Sequence, residues 1–492
     1  MTSHPHIDLR ARARQAMLDN GFTPEMSPDV DRQLRALSQQ TQSMGPTPVP
    51  TRGVRDLRGL LWSSIDNDES RDLDQIEVAE PLPGNRFRVL VGIADVDALV
   101  PSGSPIDLHA RDNTTSVYTG VETFPMLPNT LSEGLTSLLE DVDRLCMVVE
   151  MTLDSTGNVT SSDIYPALTR NRAKLTYEAV GAWLEGHGPL PPQIAQSEGL
   201  EVQIHLQRQI ARQILARRLE QGALEFETVE AQPVVRDSKV IDLAVLLKNE
   251  ARLIIENFMI AANTTLAAWM TQSGQPSIQR VVRAPERWNR ITAIAQSVGD
   301  TLPDVPDARA LSDFLARRKA ADPLHFPDLS LSIVKLLGPG EYVVVEDPSD
   351  PQGHFGLAAY RYTHSTAPNR RYADLIVQRL LKAVVSQSPP PYAIEELTQI
   401  AARCTERENA ARKVERVMRK VIAATLLSDR IGQMFDALVT GATPKGTYVR
   451  VIAPPVEGRV VRGEEGLDVG DKVRVRLLAT DPERGFIDFE RL

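Results

Sequence analysis

Between Ser63 and Gln75 four aspartates fall within thirteen residues, Ser-Ser-Ile-Asp-Asn-Asp-Glu-Ser-Arg-Asp-Leu-Asp-Gln, directly after the apolar run Leu60-Leu61-Trp62. Held in a compact fold, Asp66, Asp68, Asp72 and Asp74 would repel one another, and a divalent cation is the usual relief for such a cluster. The alternative is a solvated acidic loop, the commoner fate of acidic runs. Apolar Ile65, Leu73 and Ile76 interleaved with the acids oppose that alternative. So do the strand-like stretch Gln75-Ile76-Glu77-Val78-Ala79 and the apolar run from Phe87 to Ile93 that follow. The segment reads as a cage for Mg²⁺ or Mn²⁺.

The order of residues carries more than the composition. Ile65-Asp66, Arg71-Asp72-Leu73-Asp74 and Gly92-Ile93-Ala94-Asp95-Val96 together resemble the signature of the ribonuclease II family, the RNB exoribonucleases. The resemblance continues through Gly103-Ser104, Thr115-Ser116-Val117-Tyr118 and Phe124-Pro125-Met126-Leu127-Pro128 with Leu131-Ser132. Further blocks are Gly222 to Phe226, Glu256 to Asn263, His354 to Leu357, and Arg370-Arg371 followed by Tyr372-Ala373-Asp374-Leu375. In order and spacing they run from about residue 55 to 420.

A formal charge of −10 shows no positive excess of the kind nucleic-acid proteins usually carry. RNA would therefore have to meet cations gathered along one channel. Cys146 and Cys404 are the only cysteines and stand outside any metal-ligand spacing, which fits a reducing compartment. No apolar run approaches the roughly 20 residues that span a bilayer. The opening Met-Thr-Ser-His-Pro-His-Ile-Asp lacks a signal peptide's basic-then-apolar plan. A cytoplasmic protein without membrane contact is expected.

Apolar positions at helical spacing predict a helix over 7–20, stopped by Gly21, and another from Ser27-Pro28 through Val30, Leu34 and Leu37. Residues 1–45 thus read as a small helical domain, either helix-turn-helix-like or a helical hairpin packed on the main body. A Pro-rich linker is expected over 46–55. The 56–432 region alternates strands and helices, with a hairpin turning at Ser155-Thr156-Gly157-Asn158 and helices over 175–184, 197–221, 245–271, 370–386 and 394–431. Over 433–492 short strands punctuated by glycines predict an OB-fold barrel that binds RNA or merely packs on the body. The fold class expected is α+β, a large RNB-type catalytic domain between those two smaller units. Bacterial family members commonly carry two cold-shock domains ahead of the catalytic domain. Roughly 55 residues cannot hold even one with a linker, so selectivity toward structured RNA is not carried over.

What the resemblance implies for the site can be given residue by residue. Asp66, Asp72 and Asp74 match the family's acidic metal residues, with Asp74 the one whose loss should abolish turnover. The fourth position, usually Asp, is Gln75 here; its oxygen can ligate a cation but brings no charge, and Asp68 is a possible substitute. Arg370 matches the arginine that grips the phosphate at the scissile bond, where a guanidinium offers paired donors that lysine lacks. Arg371 is expected in a salt bridge with a neighbouring helix. Tyr118 and Phe226 correspond to an aromatic pair that sandwiches the bases at the RNA 3′ end, and Glu256 to a residue near the last sugar. Of the arginines at 208, 212, 217 and 218 and at 403, 407, 412, 416 and 419, only a minority should touch phosphate. The activity implied is processive 3′→5′ hydrolysis of single-stranded RNA to nucleoside 5′-monophosphates by a Mg²⁺- or Mn²⁺-dependent enzyme, a monomer. The rival reading, for which Gln75 is the hint, is an RNA-binding protein with a degenerate nuclease body.

Overall fold

The computed structural model describes residues 7–43, 53–227, 230–236, 239–246, 248–323, 325–346, 353–443 and 446–492. Of the expected linker, residues 46–52 lie outside them. The strands Trp62–Asp66, Gln75–Leu82, Arg86–Ala94 and Asp143–Leu153 are rich in apolar residues on both faces and are buried on both. The sheet runs Arg55–Asp56, Val159–Thr176, Trp62–Asp66, Gln75–Leu82, Arg86–Ala94, Asp143–Leu153, and its last strand pairs back onto Val159–Thr176. That 18-residue strand makes the return possible. It runs antiparallel to Asp143–Leu153 over most of its length and parallel to Trp62–Asp66 near its end. The expected hairpin forms: Gly157 takes a φ of 78° and the Asp154 carboxylate accepts from the Thr156 and Asn158 N–H groups.

Two long helices lie against this sheet, Leu200–Glu220 and Glu250–Gln272. The second places Ile254, Phe258, Ala262 and Leu266 in the same core as Trp62, Ile76 and Leu90. By length and composition alone it could cross a bilayer, which corrects the expectation that no run reaches that size. More than half of its apolar window is buried, so it is a core helix. It starts at Glu250 rather than 245 because Asn249 caps it, accepting from the Arg252 N–H, and because Lys239–Leu246 is a strand paired with Glu230–Arg236. The helix expected from 370 likewise begins at Tyr372, since Arg371 is extended.

The two N-terminal helices have no core of their own. Leu9–Asp19 packs Ala13, Ala16 and Met17 against Ala411, Val414, Met418 and Val421 of the 34-residue helix Ile394–Leu427. Pro28–Ser43 packs against Pro105–Asn113, and its Val30 joins the main core. Each of the two helices thus packs on the body through its own partners.

The strands Met434–Thr443, Gly446–Val451, Glu457–Arg462, Phe486–Arg491 and Lys472–Asp481 close a barrel in that order. Its interior is Val439, Val449, Val451, Val460, Val475, Leu477 and Phe489, continuous with Ile422, Ala424 and Leu427 of the long helix. Gly458 lets two barrel walls approach: a Cβ there would stand 2.5 Å from the Phe489 ring and 2.7 Å from the Ile487 carbonyl oxygen. Gly458→Ala should therefore destabilise the protein by about 1–3 kcal/mol through overpacking. A lowered urea midpoint checks this, and an unchanged midpoint contradicts it.

Candidate active site

The acidic loop is pinned by backbone contacts that leave one carboxyl oxygen of Asp74 without a hydrogen bond. Leu73, 1 % exposed, donates its N–H to the Ser137 hydroxyl and accepts from the Leu138 N–H, while the Ala94 N–H donates to the Asp74 carbonyl. Ser137 also donates to the Arg71 carbonyl at 2.6 Å. Asp66 ends its strand and turns back on the loop, accepting from the Asn67 N–H and the Ser70 hydroxyl. Asp68 is exposed, and its carbonyl accepts from Lys174.

Asp74 is 1 % exposed. Its Oδ1 accepts from the Asn369 N–H at 2.9 Å, whereas Oδ2 has no hydrogen-bond partner. Arg370 Nε stands 3.5 Å from Oδ2, close enough for attraction between charges but not for a well-formed hydrogen bond. Burial pushes the Asp74 carboxyl up to about 7; Arg370 and the Asn369 N–H pull against that shift, and Asp72 adds to it. Burial also raises the half-buried Asp72, with Arg370 opposing and Asp66 and Glu133 contributing. The three aspartates and Arg370 thus form one electrostatic group.

The loop carrying Arg370 is held from two sides. Asn263, buried on the Glu250–Gln272 helix, accepts from both the N–H and the hydroxyl of Ser365. Asn369 accepts from the Thr136 hydroxyl at 2.6 Å. Arg371 makes a two-pronged ion pair with Asp374, three residues on in the helix it precedes rather than in a neighbouring one, and Asp374 also accepts from the Ala367 N–H. Arg370 itself keeps its side chain 41 % exposed, so its guanidinium has donors to spare.

Tyr118 lies at the end of the short strand Val117–Tyr118, its N–H donating to Glu415 of the long helix. Its ring is 45 % exposed, and burial around the phenol raises it, with Arg370, Asp72, Asp74 and Asp66 all acting on it. Phe226 is elsewhere. It packs half-buried against the cluster of Leu224, Trp288, Phe314 and Phe326, and no ring contact joins it to Tyr118 among the described residues. Glu256 is exposed on its helix, near Arg218. Most of the helical arginines are engaged: Arg208 and Arg212 with Glu250, Arg218 with Asn257, Arg403 with Asp112 and Arg412 with Glu408.

Hard oxygen donors at Asp66, Asp72 and Asp74, one of them buried with an unused oxygen, fit a hard divalent cation. Among the described residues no three His, Cys, Asp or Glu side chains enclose an ion by themselves. The protein would thus supply part of the shell and leave the rest to water and phosphate, the habit of Mg²⁺. Gln75, half-buried, opens the strand beside them. Sequence reasoning passed over Asn369 as a partner of Asp74, although its place beside Arg370 was the signal. It also passed over Glu77, which the fold buries on the strand that Gln75 opens.

With this geometry in view, the comparisons with known proteins are specific. Residues 54–387 match the RNB domain and residues 433–492 the RNase II-type exonuclease C-terminal S1 domain. The chain belongs to the RNB family. Ribonuclease R of Escherichia coli (strain K12) is 30 % identical over 474 residues, which cover 89 % of this chain and 57 % of that relative. The chain therefore spans less than two thirds of the length of that curated relative. Mycoplasma genitalium RNase R in complex with ribose methylated single-stranded RNA shares the fold, with a TM-score of 0.86 at 24 % identity over 99 % of this chain and 78 % of the other. Yeast Ssd1, described as a pseudonuclease, matches with a TM-score of 0.71 at 20 % identity over 96 % of this chain and 57 % of the other.

The buried carboxyl has a measurable consequence in metal-free protein. The folded state holds the Asp74 proton up to about 7, against an ordinary carboxyl value of 3.8. Between those values it binds more protons than the unfolded chain, so stability falls as pH rises from about 4 to about 7. Asp74→Asn should remove on the order of a few kcal/mol of that fall. Urea midpoints measured across this range in chelator test it, and an unchanged slope contradicts a buried, titrating Asp74.

Proposed function

We propose that this chain is an exoribonuclease that removes nucleotides from the 3′ end of single-stranded RNA by divalent-metal-dependent hydrolysis, releasing nucleoside 5′-monophosphates. The observation that carries the reading is the buried Asp74 carboxylate, with one oxygen unused, beside the half-exposed Arg370. The direction of attack and the substrate are supported by membership of the RNB family and by the likeness to Ribonuclease R.

Asp66, Asp72 and Asp74 would hold Mg²⁺ or Mn²⁺, with Gln75 adding a neutral oxygen. A bound ion supplies an activated water, charge relief at the phosphorus and stabilisation of the departing oxygen. Arg370, with Asn369 and Asp74 fixing its loop, grips the scissile phosphate through paired N–H donors. Tyr118 offers an exposed ring face on which any base can stack, which suits an enzyme indifferent to sequence. Glu256 lies exposed for a sugar hydroxyl, and Phe226 would serve as the second stacking ring only if the strand reaches the Trp288 cluster. Processive action follows if the barrel and the body together hold several phosphates while the last linkage is cut. A reducing compartment such as the cytoplasm accords with Cys146 and Cys404, both buried and free.

Uniformly labelled single-stranded RNA incubated with purified protein and Mg²⁺ or Mn²⁺ should yield mononucleotides without a ladder, and chelator should stop it. Asp74→Asn should bind RNA and lose turnover. Arg370→Lys should lose about tenfold or more, matching a charged hydrogen bond of about 1.5–3 kcal/mol. An intact band that only shifts in a gel, or internal fragments insensitive to a blocked 3′ end, would overturn the proposal.

A further inference from the structure

Glu77 lies on the Gln75–Leu82 strand two residues after Gln75, hence on the same face. Its side chain is 0 % exposed and neither of its carboxyl oxygens has a hydrogen-bond partner. An unpaired carboxylate buried to that degree is costly to the fold unless something neutralises it. It stands opposite Ser63 of the neighbouring strand, whose hydroxyl is also buried without a partner. The Asp66 charge reaches it, and the Tyr177 phenol feels both Asp66 and Glu77.

A buried carboxyl with two unused oxygens thus lies on the face of the strand that Gln75 opens, where a neutral glutamine occupies an expected acid position, and the charge of Asp66 reaches it. We propose that Glu77 supplies the negative charge Gln75 lacks, acting with Asp66 as a ligand of the divalent cation. The assignment rests on the metal-dependent reading given above. It accounts for a carboxyl that otherwise has no reason to be buried, and it restores the charge of the donor set without restoring its pattern.

The test is calorimetric titration of Mn²⁺ into metal-stripped wild type, Glu77→Gln, Glu77→Met and the double variant Gln75→Asp/Glu77→Gln, with thermal melts of each. Removing the ligand should weaken Mn²⁺ about 10- to 100-fold. It should also shrink the rise in Tm that Mn²⁺ produces, while the metal-free Tm stays level or increases because an unpaired buried acid is gone. Aspartate at 75 should bring the affinity of the double variant back toward wild type. Wild-type affinity in Glu77→Gln and Glu77→Met would overturn the Glu77 assignment alone, as would a weakening that Gln75→Asp fails to rescue. Wild type that binds no Mn²⁺ would overturn the metal reading and this inference with it.

Discussion

Asp74 and Asn369 are 295 positions apart in sequence, and the hydrogen bond from the Asn369 N–H to the Asp74 carboxylate ties the acidic loop to the loop that bears Arg370. Neither loop would hold its shape alone. A carboxyl with almost no exposure would drift toward water if its backbone allowed it, so the loop must be anchored elsewhere, and Leu73, Ser137 and Ala94 provide the anchors. On the far side, Asn263 and Thr136 fix the chain around Ser365 and Asn369. The outcome is one carboxylate oxygen satisfied by the protein and one kept unsatisfied beside a guanidinium. Such a group is costly for the fold and useful for binding a cation or phosphate.

Where local chemistry decides, the sequence was readable. The Asp154 to Asn158 turn and the glycine-punctuated barrel strands formed as their residues suggest. Helix starts were displaced at Asn249, whose side chain caps the helix, and at Arg371, which stays extended, because each is one residue against a long periodic signal. Long-range packing was not readable: nothing in the run Gly222 to Phe226 tells that Phe226 settles against Trp288 and Phe314.

Glu77 escaped notice for a different reason. Gln75-Ile76-Glu77-Val78 alternates polar and apolar residues, the pattern of a strand with one wet face. Because the sheet curls back on itself and the Leu200–Glu220 helix lies against this strand, the face that should have met water is enclosed. The helix confirms its closeness through Gln203, which accepts from the Ala79 N–H and donates to the Leu61 carbonyl. Period-two alternation reports which side chains share a face, and only the tertiary fold reports what covers that face.

The helix Ile394–Leu427 touches three parts in succession: the N-terminal helix through Ala411 and Val414, the Tyr118 hairpin through Glu415, and the barrel through Ile422, Ala424 and Leu427. It is a rod about 50 Å long in which each residue turns the surface by about 100°. Its partners are therefore phased to one another as teeth on a shaft. Gaining or losing a single residue between Glu415 and Ile422 would swing the barrel about a quarter turn relative to Tyr118 while leaving both folded. Divergence among chains built this way should thus proceed by substitution along this rod, with insertions and deletions confined to the loops beyond its ends.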